Sequence, residues 1–128
     1  RLLDTVEYLL ENDVVHGGFF QQNIHSGINA YLSLHLAQVL LRAGDARHLE
    51  LLSAVAELAS PTGQWPEAVH PQTRGGCMGD GQHGWAAAEW VLALCHGCVR
   101  EEGNTLVLGS GIDPAWLAHD TPLSLGPV

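Results

Sequence analysis

The lengths of the connections between its apolar stretches constrain the fold of this chain more than any other feature. Apolar residues recur at helical spacing in four stretches, a pattern typical of amphipathic α-helices. The pattern predicts helices over residues 2–12, 27–43, 45–59 and 82–100. Ser26 and Asp45 are candidate amino-terminal caps of the second and third helices, and Gly44 alone connects these two helices.

The other two connections are long and cover residues 13–25 and 60–81. A short turn makes neighbouring helices antiparallel, so an up-down-up-down order brings both long connections to the same end of the helices. That end carries the amino termini of the second and fourth helices. Long loops on a rigid helical scaffold commonly carry binding and catalytic residues. We therefore expect a functional site where the two long connections meet.

The predicted fold class is all-α, with helical hairpins of the kind that build (α/α) toroids and a short β extension at the carboxyl terminus. Residues 1–103 form the predicted helical domain, and residues 104–128 form the extension. Within the extension, residues 105–108 and 121–128 have strand composition but no evident partner strand in the chain. The helices also expose apolar surface, so we expect self-association or packing against further parts of a longer protein.

Composition argues against several classes of partner. The formal net charge is −9, and the five basic residues are all arginines that lie far apart in the sequence. A nucleic-acid backbone needs clustered cations, so we expect no nucleic-acid partner. There is no run of 18 apolar residues, so no membrane span is predicted. Three unevenly spaced cysteines do not form a disulfide framework, and the cell compartment stays undetermined.

The stretch from Ser60 to Trp90 concentrates the residue types that bind and cleave sugars. Its carboxylates, imidazoles and indoles are Glu67, Asp80, Glu89, His70, His83, Trp65, Trp85 and Trp90. Indole rings stack on the apolar face of a pyranose, whereas carboxylate, amide and imidazole groups bind its hydroxyls. Glycosidic cleavage needs two carboxyl groups, one as general acid and one as base or nucleophile. The stretch is therefore typical of a carbohydrate site.

Glu67 and Asp80 are the candidate catalytic carboxylates of this stretch. The alternative for Glu67 is an ordinary surface acid, and the alternative for Asp80 is an amino-terminal cap of the fourth helix. The candidate substrate-binding residues are Gln64, Trp65, His70, His83, Trp85 and Glu89. Trp65 and Trp85 are candidate stacking platforms, while Glu89 has the alternative of a helix-surface acid. Further candidates, at the rim of the site, are Gln22, Asn23 and His25 of the first long connection.

Two short segments resemble a known enzyme family. Gln64-Trp65-Pro66-Glu67, followed by a glycine-rich stretch and Gly84-Trp85-Ala86, resembles the carboxyl-terminal part of the six-hairpin (α/α)6 glycosidase toroid. Glucoamylases, trehalases and maltose phosphorylases have this fold. Residues 106–117 are similar to the strand and turn that follow the barrel in disaccharide phosphorylases. The resemblance implies cleavage of glycosidic bonds, by hydrolysis or phosphorolysis, with Glu67 as general base and a general acid outside this sequence.

Two other functions stay open at this point. One is a non-catalytic module that binds sugar or only completes a helical scaffold. The other is a zinc enzyme, because Cys77 with Cys95-His96-Gly97-Cys98 is similar to the zinc ligands of lanthionine cyclases. Cysteines that pack the fourth helix explain the same residues without a metal. We predict a carbohydrate substrate, no metal and no cofactor, and leave open whether the isolated chain is active.

Overall fold

The computed structural model describes residues 1–22 and 26–118, and these residues form a mixed α/β fold. The helices are α1 (Leu2–Asn12), α2 (Ala30–Ala43), α3 (Arg47–Leu58) and α4 (Gly84–Cys98), followed by a short 3-10 helix (Pro114–Ala118). The strands are β1 (Val14–Val15), β2 (Gly18–Gln21), β3 (Gly27–Ile28), β4 (Ala68–Val69), β5 (Gly76–Met78), β6 (Val99–Glu102) and β7 (Thr105–Leu108).

The prediction of an all-α fold is wrong because the two long connections form a sheet. Strands β1 to β5 pair antiparallel in sequence order. Within the described ranges, β1, β2, β4 and β5 lie in those connections, and β3 extends the first connection into the predicted start of the second helix. Each strand has only two to four residues, too few for its alternation to stand out in the sequence. Backbone groups removed from water need hydrogen-bond partners, and pairing between the connections supplies them.

The sheet joins the two long connections directly. Ile28 of β3 faces Val69 of β4 across the strand pair, and their side chains are 0% and 1% exposed. The expectation that both connections meet at the amino termini of the second and fourth helices is therefore confirmed, because β3 leads into α2 and the β4–β5 hairpin leads into α4. Strand pairing, rather than adjacent irregular loops, brings them together.

Helix α1 has the predicted bounds, whereas the other helices are shorter than predicted. Helix α2 begins at Ala30 because its cap is Asn29, not Ser26. The side chain of Asn29 accepts a hydrogen bond from the backbone of Leu32 at 3.0 Å. Gly44 ends α2 in the left-handed conformation, at φ +73°. The side chain of Asp45 accepts a bond of 2.9 Å from the backbone of Arg47, the first residue of α3. The cap position of α3 is Ala46, so the prediction that Asp45 caps this helix is wrong.

Helix α2 lies in the middle of the fold and packs against α3, α4 and α1. Its buried residues are Ala30, Ser33, Leu34, Leu36, Ala37, Leu40 and Leu41. The buried hydroxyl of Ser33 accepts a hydrogen bond from the backbone of Phe19 at 2.8 Å and donates to the carbonyl of Asn29 at 2.7 Å. This pair of bonds attaches the sheet to the first turn of α2, so the site described below has a rigid base.

The carboxyl-terminal part departs from prediction in its strand pairing. The predicted strand at residues 105–108 is confirmed as β7. Its partner does lie within the chain: β6 pairs with it antiparallel from Val99↔Leu108 to Glu102↔Thr105. The fourth helix therefore ends at Cys98 rather than near Arg100. The predicted strand at residues 121–128 lies outside the described residues. No helix in the described part of the chain has the length and apolar character needed to cross a bilayer.

Candidate functional site

An aromatic cluster lies where α2 and α4 begin. Tyr31 in the first turn of α2 stacks on Trp85 in the first turn of α4, with ring centroids 4.5 Å apart and an interplanar angle of 18°. The ring of His83, just before α4, lies 5.3 Å from that of Tyr31. Trp85 is 55% exposed. We call Tyr31, His35, His83, Trp85 and Glu89 the aromatic platform.

The polar part of the platform is a pair between histidine and glutamate. His35 lies one turn after Tyr31 on α2, and Glu89 lies one turn after Trp85 on α4. His35 Nε2 is 3.2 Å from Glu89 Oε1, and the two side chains are 43% and 18% exposed. The platform therefore combines an exposed indole with a hydrogen-bond donor and an acceptor, the combination that sugar recognition requires.

The same two helix faces continue as a groove of about 270 Å³. It is lined by His35, Gln38, Arg42, Glu89, Leu92 and His96, and we call it the polar groove. Gln38 Oε1 accepts a hydrogen bond from the guanidinium of Arg42 and lies 3.1 Å from Nδ1 of His96. Burial, and next the positive charges of Arg42 and Arg100, lower the pKa of His96. The lowered pKa favours the neutral form of this imidazole.

The two predicted catalytic carboxylates lie on adjoining backbone segments at one end of the β4–β5 hairpin. The backbone N–H of Glu67 donates to the carbonyl of Met78 at 3.1 Å. Gly79, at φ +69°, approaches so closely that an added Cβ would lie 3.1 Å from Cβ of Glu67 and 3.5 Å from its Oε2. Asp80 follows directly in the chain. Folding thus brings Glu67 beside the segment that carries Asp80.

Asp80 has a different local role from the predicted cap. Its Oδ1 accepts a hydrogen bond from the backbone of Gln82 at 3.0 Å and closes a short turn. Helix α4 begins at Gly84, with His83 in the cap position, so the expectation that Asp80 caps this helix is wrong. Asp80 is exposed and lines a groove of about 540 Å³ between the end of α3 and the glycine-rich loop. We call this cavity the loop groove.

Trp65 does not form the second stacking platform that the sequence suggested. Its side chain is 5% exposed, and its Nε1 donates to the carbonyl of Val55 at 2.8 Å. Its ring lies 5.5 Å from that of Trp90 in the core. Trp65 contributes through its backbone, because its carbonyl accepts a hydrogen bond of 2.8 Å from the N–H of His83. This bond holds His83 beside Tyr31.

His70 and Gln64 have local structural roles in the second connection. Nδ1 of His70 accepts hydrogen bonds from the backbones of Gln72 and Thr73, each at 3.2 Å, and so stabilises a tight turn. The backbone N–H of Gln64 donates to the hydroxyl of Ser60 at 3.1 Å. Neither side chain has a described contact with the aromatic platform. Of the predicted binding residues, the fold assembles His83, Trp85 and Glu89 in one cluster.

The first connection contributes little to the site among its described residues. The side chain of Gln22 donates to the carboxylate of Asp13 at 2.9 Å. Asn23 and His25, the other predicted rim residues, lie outside the described residues.

Four site residues on α2 were missed from the sequence: Tyr31, His35, Gln38 and Arg42. They recur at intervals of four, three and four residues in a helix that is otherwise mostly apolar, and this row was the signal that could have revealed them.

The cysteines are divided between two elements. Cys77 lies on β5, and its thiol donates to the carbonyls of Ser26 and Ala68, whereas Cys95 and Cys98 lie near the end of α4. Within residues 1–22 and 26–118, no three His, Cys, Asp or Glu side chains come close enough together to hold a metal ion.

Comparison with protein-family models, with curated proteins and with solved structures found no match to this chain.

Proposed function

We propose that this chain binds carbohydrate on the aromatic platform and belongs to a protein that cleaves glycosidic bonds. The observation that carries the proposal is the exposed Trp85 ring, which rests on Tyr31 with the His35–Glu89 pair one helical turn away. Contact with Tyr31 restricts the indole to one orientation, and a restricted ring loses less entropy when a ligand stacks on it. The sequence resemblance to glycosidases suggested the same class of ligand.

The aromatic and polar residues of the platform suit different parts of a pyranose. The apolar face of the sugar would stack on Trp85, because C–H bonds are attracted to the negative face of an aromatic ring. The carboxylate of Glu89 would accept hydrogen bonds from hydroxyl groups, and Nδ1 of His35 would accept another, because the Nε2–H of this imidazole is directed at Glu89. Glu89 is largely shielded from solvent, and a hydrogen bond that it makes to a ligand is therefore stronger than one on an open surface.

For cleavage, we propose Glu67 as the general base that activates water or phosphate. Two features support this role. Glu67 is half-buried beside Gly79, and it directly precedes β4, whose partner strand β5 leads to Asp80. Asp80 lines the loop groove, whose volume lies within the usual range for ligand sites. The second carboxyl group that the reaction needs would come from Asp80 or from another part of a longer protein.

Sugar binding is tested by titrating the chain with oligosaccharides while its tryptophan fluorescence is recorded. We expect Trp85→Ala to weaken binding by about tenfold or more, which corresponds to about 1.4 kcal/mol of lost stacking. Trp116→Ala is the matched control, because Trp116 is 47% exposed but lies in the carboxyl-terminal 3-10 helix. Unchanged affinity in Trp85→Ala, or an equal loss in Trp116→Ala, would contradict the proposal.

Cleavage is tested by measuring the release of reducing ends, with and without inorganic phosphate. Glu67→Gln should lower turnover by at least about a hundredfold, the usual contribution of a general base. Glu101→Gln on β6, which is exposed and far along the chain, should leave turnover unchanged. Full activity in Glu67→Gln removes the catalytic assignment. Sugar binding without turnover in the wild-type chain would favour the non-catalytic binding module.

A further inference from the structure

We propose that the ligand of the platform is an acidic oligosaccharide, and that Arg42 in the polar groove binds the carboxylate of a uronic acid residue. This inference rests on the proposed sugar-binding function and extends it to a class of ligand. Its basis is the continuity of the platform with the groove and the unusual state of Arg42.

The platform and the groove form one binding track along two helices. On α2 the track consists of Tyr31, His35, Gln38 and Arg42, and on α4 of Trp85, Glu89, Leu92 and His96. The spacing is the same on both helices, so the two rows face each other along their length. Arg42 lies eleven positions after Tyr31 in the chain, which corresponds to about 16 Å along the helix axis. That length suits an oligosaccharide better than a single monosaccharide.

Arg42 differs from the arginines that hold the fold together. Arg47 pairs with Glu7 and Asp45, and Arg100 pairs with Glu102. In contrast, no ion pair joins Arg42 to a carboxylate anywhere in residues 1–22 and 26–118, although the chain has 14 acidic and five basic residues. The acid that lines the same groove, Glu89, is paired with His35, so the exposed guanidinium of Arg42 is available to an external anion.

The contacts of Arg42 orient its guanidinium without neutralising it. Its Nη1 donates to the backbone carbonyl of Gln38 at 3.2 Å and also to the side-chain oxygen of that residue, and its Nη2 is 3.5 Å from Nδ1 of His96. Gln38 carries no charge, and the lowered pKa of His96 favours its neutral form. A planar guanidinium has five donors and matches the two oxygens of a carboxylate. An oriented but uncompensated guanidinium therefore favours a carboxylate ligand.

The position of Glu89 makes the two ends of the binding track chemically different. Glu89 lies seven residues before His96 on α4, about 10 Å away along the axis, and it is paired with His35. The platform end therefore offers an acceptor for hydroxyl groups, and the Arg42 end offers donors for an anion. A neutral sugar unit on Trp85 and a uronate on Arg42 would satisfy both ends, whereas the reversed ligand would bring its carboxylate towards Glu89.

The test compares acidic oligosaccharides with their own methyl esters. The probes are neutral oligosaccharides of three to five units that carry one terminal galacturonate, glucuronate or mannuronate, each with its methyl-esterified form as the neutral partner, titrated by calorimetry. We expect one acidic series to bind about tenfold more tightly than its esters at low salt, with an advantage that falls as salt is raised. Arg42→Gln should abolish this advantage. Arg42→Lys should retain only part of it, because lysine lacks the planar guanidinium that binds both oxygens of a carboxylate.

Two further variants separate the failure of this inference from the failure of the proposed function. Arg1→Gln removes an exposed arginine that lines neither the polar groove nor the loop groove and should leave the preference for acid unchanged. Trp85→Ala should weaken acidic and neutral sugars alike. Equal binding of acids and esters, or a preference that survives Arg42→Gln, overturns the uronate assignment and leaves sugar binding intact. An equal preference for sulfated neutral sugars overturns the assignment to a carboxylate. Absence of any Trp85-dependent binding overturns both proposals.

Discussion

Helix α2 has 14 residues and buries seven of them, whereas α4 has 15 residues and buries only Ala86, Ala93 and Gly97. Both helices are mostly apolar in sequence. The difference lies in their neighbours, since α2 packs against three other helices and the sheet, while α4 packs mainly on α2 and on β6. Apolar composition alone therefore did not decide which helix is central.

The outer side of α4 and the adjoining hairpin expose a large amount of apolar surface. Its largest contributors are Val91, Leu92, Val99, Leu106 and Leu108, with exposures between 36% and 70%. The charged and titratable residues of α4, Glu89 and His96, face α2 instead. Exposed apolar surface of this kind is typical of association surfaces. Self-association through this surface therefore stays our prediction.

The largest expected difference between the two helices is in the cost of truncating an apolar side chain. Leu34 on α2 is 0% exposed, so Leu34→Ala should lower the free energy of unfolding by about 2–5 kcal/mol. Val91 on α4 is 58% exposed, and Val91→Ala should cost about 0.5 kcal/mol or less. Urea unfolding of the two variants measures this. Equal losses of unfolding free energy in the two variants would mean that Val91 is also buried in solution, and that α2 and α4 do not differ in burial.

The next effect concerns Gly111, where the backbone comes close to both helices. A Cβ added to Gly111 would lie 2.6 Å from Cα of Gly97 on α4 and 2.7 Å from Cδ1 of Leu41 on α2. Gly111→Ala should therefore lower the free energy of unfolding by about 1–3 kcal/mol through overpacking. Gly84→Ala is the control, since an added Cβ there meets no atom within 4 Å among the described residues. If Gly111→Ala unfolds like the wild type, the close packing is not as described.

A third experiment tests the exposed face of α4 through association. A carboxylate at the centre of an apolar contact is costly to bury, so Val91→Glu should weaken self-association by about tenfold, or about 1.4 kcal/mol. Tyr8→Glu on α1 is the control, because Tyr8 is 62% exposed on a different helix. Sedimentation equilibrium over a range of concentrations gives both values. A wild-type chain that is monomeric throughout that range would refute the prediction.

The smallest expected effect is electrostatic and concerns the turn that follows α2. Hydrogen bonds from the side chain of Arg47 lower the pKa of Asp45 to about 2 and also lower the pKa of Glu7. A carboxyl whose pKa is lower in the folded state stabilises the fold above its unfolded pKa. This stabilisation should be lost as the pH falls from about 4 towards 2. Its size is small because the ion pairs are at the surface.

Thermal unfolding at several acidic pH values, with Asp45→Asn as the matched variant, measures this loss. The variant should show a weaker dependence on pH in that window, because it has lost one of the two titrating carboxyls. An identical pH dependence in wild type and Asp45→Asn would assign the acid sensitivity to other groups.

The helices and the candidate loop could be predicted because their signals are local. Apolar periodicity marked α1 to α4, and Gly44 marked the turn between α2 and α3, since glycine readily adopts the left-handed conformation. Capping was harder to predict. Ser26, Asn29 and Asp45 are all acceptable caps by type, and pairing of β3 with its neighbours decided that α2 begins after Asn29.

The sheet, and the set of residues that form the site, could not be predicted in the same way. A two-residue strand has no periodicity of its own, and its partner is chosen by contacts between residues far apart in sequence, such as Ile28 and Val69. Trp65 and Trp85 are equally plausible platforms in the sequence. Only packing buried the first against Trp90 and left the second exposed on Tyr31.

By itself, the sequence determined where the helices form, that the two long connections meet and which chemical groups those connections carry, because each property depends on neighbours along the chain. The tertiary structure alone decided that the connections pair as a sheet and that α2 rather than α4 is central. It also decided that His35 and Arg42 join the site. These outcomes depend on which surfaces lose water together, and that is a property of the whole fold rather than of any segment.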